Sequence, residues 1–85
     1  MIVQIVKTEY TKFVDASVEA FTAQCRALTG MEVQFGTAKP AANVEGVIVP
    51  AGLQHGVTRA NGHGHGWAKV PAQASDDSAS VVVVF

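Results

Sequence analysis

Three histidines fall close together, His55, His63 and His65, in a stretch that reads Leu53-Gln-His-Gly-Val-Thr-Arg-Ala-Asn-Gly-His-Gly-His-Gly-Trp67. Two histidines at i and i+2 on a strand point to the same side, so His63 and His65 make an H-x-H pair of the kind that can chelate one divalent metal ion. A third ligand is harder to find. If Asn61-Gly62 closes a two-residue hairpin, Ala60 faces His63, Thr58 faces His65, and His55 lies opposite Ala68 on the other side of the ribbon. The stretch holds no carboxylate to replace it. The competing reading is a glycine-flanked ribbon from which His63, His65 and Trp67 project as a contact row, with the indole as anchor. We take the contact row as the primary reading and metal binding by His63 and His65 as the alternative, and expect no cofactor.

The segment Pro50-Ala-Gly52-Leu-Gln-His55 resembles the P-x-G-x-x-H of the second motif of the cupins, small β-barrel proteins that often hold a metal with histidines. His63-Gly-His65 resembles the H-x-H of their first. The family places H-x-H before P-x-G-x-x-H, the reverse of the order here, so the resemblance is read as accidental.

Other chemistry is absent from the spacing. Cys25 lies on the apolar stripe Val18, Phe21, Cys25, Leu28, which makes it a core thiol rather than a nucleophile. Gly62-x-Gly64-x-Gly66 lacks the spacing of a dinucleotide loop and opens no helix. Asp76-Asp77 lacks the further ligands of a calcium loop and reads as a solvated turn. Ser75, Ser78 and Ser80 have no histidine placed to activate them. No catalytic residue is assigned, and the chain is read as a non-enzyme.

The totals narrow the choice further. Eighty-five residues make a single domain, residues 1–85, whose core is small for its surface. One cysteine permits no internal disulfide, so stability must come from packing, within the chain or between copies. Charged residues are 15% of the chain, against an average near 25%, and 48% are hydrophobic. A surface so poor in charge points to partners that cover part of it. The six Lys and Arg are scattered among acids, with no stripe for phosphates, so nucleic acid is not expected as a partner. The longest apolar run, Val81–Phe85, is far too short to span a membrane as a helix, and the N-terminal run contains Gln4 and Lys7 with no cleavage-site pattern. Synthesis in the cytoplasm without a signal peptide, and no membrane partner, are the expectations.

The elements that would carry these residues come from hydrophobic period. Residues 2–6 and 81–85 are β-branched and apolar on both faces, which predicts two strands that need cover on both sides. Met31, Val33 and Phe35 alternate with polar residues as a half-buried strand, and residues 46–50 form a short buried strand closed by Pro50. Val18, Phe21, Cys25 and Leu28 sit at helical spacing, with Tyr10 and Val14 continuing the stripe backwards and Gly30 as a stop. This predicts a helix over about residues 9–29; the alternative extends the first strand to Val14, with Asp15 as an N-cap. The expected fold is α+β: a mainly antiparallel sheet of four to five strands, that helix on one face, and a glycine-rich hairpin around Asn61-Gly62.

One helix cannot cover two faces of such a sheet, so the second face needs either the hairpin folded over as a second small sheet or another subunit, and self-assembly or docking is the working inference. The functional expectation is a structural or interaction protein in a homo-oligomer or larger assembly, such as a small virion component: capsid decoration, minor capsid or head-tail joining protein. Its contacts would run through His63, His65, Trp67, Val81, Val83 and Phe85. The alternatives are a His-based metal-binding module, and an oligomeric ligand-binding protein or enzyme with its site between subunits.

Overall fold

The computed structural model describes residues 1–18, 20–51 and 64–85. Its described part is built from seven strands and contains no helix: β1 (Ile2–Val6), β2 (Thr11–Val14), β3 (Thr22–Cys25), β4 (Met31–Gly36), β5 (Val47–Val49), β6 (His65–Lys69) and β7 (Ser78–Val84). They form two antiparallel sheets, a three-stranded one in the order β1-β7-β3 and a four-stranded one in the order β2-β6-β4-β5. The expected α+β fold with one sheet and one helix is therefore corrected to an all-β arrangement of two sheets. The hairpin turn expected at Asn61-Gly62 lies outside the described residues.

The predicted helix over residues 9–29 is replaced by β2, a turn and β3, for reasons visible in the side chains. Phe21, Ala23, Cys25 and Ala27 are all buried, a strict period of two, whereas Leu28, which the helical stripe required inside, is 88% exposed. The two alanines carry the strand pattern but count for little in a hydrophobic tally. Asp15 caps no helix. Its carboxylate accepts from the Ser17 backbone N–H (3.0 Å) and hydroxyl (2.8 Å), and its carbonyl accepts from Val18 N–H (3.1 Å), which closes a turn between β2 and β3. Gly30 does end the segment, but from a turn: its N–H reaches Ala27 O at 3.0 Å and its φ of +82° belongs to glycine.

The sheets share one core. The three-stranded sheet contributes Ile5, Ala23, Cys25, Val81 and Val83, and the four-stranded sheet contributes Phe13, Val14, Met31, Val33 and Ala68. Three rings tie the two together, with Phe13 edge-on to Phe21 (centroids 5.8 Å) and tilted against Phe35 (6.4 Å). Gly66, opposite Val14 on the neighbouring strand, leaves room for them, since a Cβ there would lie 2.5 Å from Val14 Cγ1 and 3.0 Å from Phe13 Cζ. Strand β7 is the middle strand of its sheet, paired with β1 through Ser78–Val82 and with β3 through Val81–Val84. The first residue joins it as well: Met1 donates its ammonium to Val83 O (2.9 Å) and accepts from Val83 N–H (2.7 Å).

Strand β6 begins where Gly64 presses on the end of β4. Its φ is +79°, and a Cβ would lie 2.6 Å from the carbonyl carbon of Gly36. Gly64→Ala is expected to cost about 1–3 kcal/mol, from forced left-handed backbone and overlap with main chain that cannot step aside. Urea denaturation checks this, and a change below about 0.5 kcal/mol would contradict the close approach.

Candidate functional site

Strand alternation places the sequence-named residues in two groups. On β6, His65, Trp67 and Lys69 face away from the core, while Gly66 and Ala68 face into it. On β7, Val81 and Val83 are buried between the sheets at 0% and 1% exposure, and Val82 and Val84 face outward. Phe85 follows them into solvent. His55 and His63 lie outside the described residues.

The His65 and Trp67 side chains are tied to their own chain. The His65 ring stands edge-on to Trp67 with centroids 6.1 Å apart, and the indole N–H donates to Gly36 O at 3.0 Å. His65 Nδ1 accepts from the Ala16 N–H at 3.0 Å. Asp15 Oδ1 lies 3.5 Å from the same Nδ1 and 3.3 Å from Lys12 Nζ. The Ser17 backbone N–H, then its hydroxyl and Lys12, hold the Asp15 carboxyl well below the usual carboxylate range. It therefore stays an anion throughout neutral and mildly acidic solution. No group of three or more His, Cys, Asp or Glu side chains is arranged to hold a metal among the described residues. Cys25 is buried on β3, and burial pushes its thiol up, away from the reactive thiolate.

The same outward face of the four-stranded sheet carries a second constellation that the sequence reading missed. The β4–β6 register sets Glu32 opposite Lys69, and the two meet as an ion pair at 2.6 Å (Lys69 Nζ to Glu32 Oε2). Although they stand on the outer side, their side chains are only 14% and 5% exposed. Tyr10 flanks them, with Lys69 Nζ 5.9 Å from its ring centroid. The Tyr10 hydroxyl donates to Val44 O (2.6 Å) and Gln34 donates its side-chain amide to Glu45 O, so the segment between β4 and β5 is drawn over the pair. Burial, and secondarily the Glu32 charge, push the Tyr10 hydroxyl up, which keeps it a donor. A recess of about 250 Å³ remains above the pair, lined by Glu32, Asn43, Glu45, Lys69 and Gln73 with the methyls of Ala42 and Ala72.

The third feature is an open sheet face. The outward side of β1-β7-β3 puts Val82 between Ile2 and Gln24, and Val84 beside Thr22. At this end Met1, Ile2, Val84 and Phe85 are 61%, 68%, 60% and 69% exposed. The opposite end is polar, with Gln4 donating to Ser80 Oγ (3.0 Å) and Arg26 to Gln24 Oε1 (3.2 Å). Among the described residues no helix is long and apolar enough to cross a membrane. No protein-family model, curated protein or solved structure matches the chain.

Proposed function

We propose that the chain is a non-enzymatic structural or interaction protein that works within a homo-oligomer or larger assembly, with a small virion component as one such setting. The observation that supports it is the uncovered apolar end of the three-stranded sheet. Single exposed apolar side chains are ordinary on a protein surface, but here Ile2, Val82 and Val84 share the outward side of paired strands, with Met1 and Phe85 exposed at the same end of the sheet.

The occupant that fits is a second copy of the same chain. The sheet face carries one charged side chain, Arg26 at its corner, so it asks for no oppositely charged partner. Its polar half carries Gln4, Gln24 and Ser80, which both donate and accept and can therefore pair with themselves across a two-fold axis. Size sets the strength. A face about five residues long and three strands wide covers roughly 230 Å². Stable pairs bury about 800 Å² on each partner, so this contact alone is weak and gains force when several act together in a closed ring or particle.

Sedimentation equilibrium over a micromolar to millimolar range tests the reading. The wild-type chain should show a concentration-dependent mass above 8.9 kDa. Val84→Glu, on the solvent side of β7, should return it to the monomer while shifting the melting temperature by no more than a few degrees. A wild-type chain that stays monomeric at millimolar concentration, or a Val84→Glu variant that associates as wild type, would overturn self-association through this face.

A further inference from the structure

A two-fold contact closes on itself at two copies, so the apolar end of the three-stranded sheet builds a dimer and nothing larger. A ring or particle of this chain needs a second contact on each protomer. The exposed apolar side chains among the described residues point to where it lies. Met1, Ile2, Val84 and Phe85 belong to the first face, and Leu28 stands alone in the turn between β3 and β4. Val44, Val47 and Ile48 instead gather at β5, the edge of the four-stranded sheet.

Edge strands carry main-chain N–H and C=O groups aimed away from their one neighbour, and proteins guard them with charge, proline or a bulge. The opposite edge of the same sheet is guarded, since β2 carries Lys12 and its register with β6 shifts between Lys12 and Val14. Strand β1 is partly closed, because Val6 O accepts from the Val70 N–H at 3.0 Å. Strand β5 has none of these devices. It reads Val47-Ile48-Val49, pairs with β4 in unbroken register, and among the described strands has β4 alone beside it. Val47 shows the gap most clearly. It lies on the core side, opposite Val33, which is 4% exposed, yet is itself 73% exposed.

We infer that β5 is a second self-association contact, pairing antiparallel with β5 of another copy so that two four-stranded sheets run on as one. The inference rests on self-association through the first face and names the surface that carries it beyond a dimer. The strand suits its own image. With a two-fold axis at Ile48, Val47 of each copy faces Val49 of the other, and the pleat sets core side against core side. No like charges meet, because the three residues carry none. Val47 gains cover from a Val49 that is already packed against the core of its own copy. Pro50 ends the ladder, having no N–H to give. Three residues a side fall well short of the roughly 800 Å² that each partner buries in a stable pair, so this ladder does not hold two copies alone. It takes effect between copies already joined through the first face, where closing a ring makes short ladders act together.

Sedimentation equilibrium up to millimolar concentration, with disulfide trapping beside it, tests the contact. The wild-type chain should exceed twice 8.9 kDa, and Val47→Lys should stop at the dimer with its melting temperature unchanged. Ile48→Cys places its thiols at the axis, where antiparallel partners lie about 4.5–5.5 Å apart between Cα atoms, within disulfide range. Mild oxidation should therefore link it about tenfold faster than Val47→Cys, while Cys25 stays buried. A wild type that halts at the dimer would overturn the edge contact and leave the first face standing, whereas one that stays monomeric overturns both. Val47→Lys that assembles as wild type, or Ile48→Cys that links no faster than Val47→Cys, also overturns it. So does a dimer whose amides at 47–49 shift saturably with a capped Thr-Val-Ile-Val-Thr peptide, which would assign the edge to a foreign strand.

Discussion

Glu32→Leu should lower the stability of the domain by about 3–5 kcal/mol, because it leaves the Lys69 ammonium enclosed with no counter-charge. For a chain of this size that is a fall in melting temperature on the order of 20 °C, and a large part of the whole free energy of folding. The double variant Glu32→Leu/Lys69→Met removes both charges and keeps comparable volume, so it should return close to wild type or exceed it. Urea denaturation of the two single variants and the double gives the coupling directly. A Glu32→Leu variant within about 1 kcal/mol of wild type would show that Lys69 escapes to water without its partner, and the floor of the recess would then be no fixed feature. The same cycle separates roles: charges retained for stability would make the double variant worse than wild type.

Phe13→Ala is the other large effect, at about 3–5 kcal/mol. Phe13 is 1% exposed and its ring contacts both Phe21, which leads into β3, and Phe35 on β4, so it fastens one sheet to the other. The site cannot collapse easily, because its neighbours are fixed by sheet registers on both sides and Gly66 has no side chain to move into the space. Thermal unfolding measures the loss. Phe13→Leu should recover about half of it by refilling volume without the edge-to-face contacts, and a Phe13→Ala loss below about 1.5 kcal/mol would mean the rings do not bind the sheets together.

The strands that sequence revealed are those with β-branched or alternating runs: residues 2–6, 31–35, 46–50 and the final valines all lie in or around observed strands, although β5 is an edge strand with Val47 and Ile48 exposed and not the buried strand expected. The helix failed because a stripe at positions 18, 21, 25 and 28 was weighed by hydrophobic size. The alanines at 23 and 27, which decide between periods of 3.6 and 2, carry almost no weight on such a scale. Threonine at 11 and 22 pointed the right way, as β-branched residues that favour strands. The His65 and Trp67 row was legible because i and i+2 are local. Glu32 and Lys69 were not, since their meeting depends on the β4–β6 register, a property of the assembled sheet. Cover on both sides of β1 and β7 was expected of a helix on one face and, on the other, the hairpin folded over as a small sheet or a partner. The protomer supplies a second sheet on one side, and the other side holds Ile2 and Val84 in the open.

The place of β7 between β1 and β3 also sets the order of events at the ribosome. Because β7 follows every other described strand in sequence, vectorial synthesis delivers both flanking strands of that sheet long before the one strand that joins them. The four-stranded sheet can zip together through β6 while β1 and β3 still wait with unsatisfied main chain. Nascent chains are thus most in need of chaperone shielding in that interval, and the synthesis of β7 is what ends it.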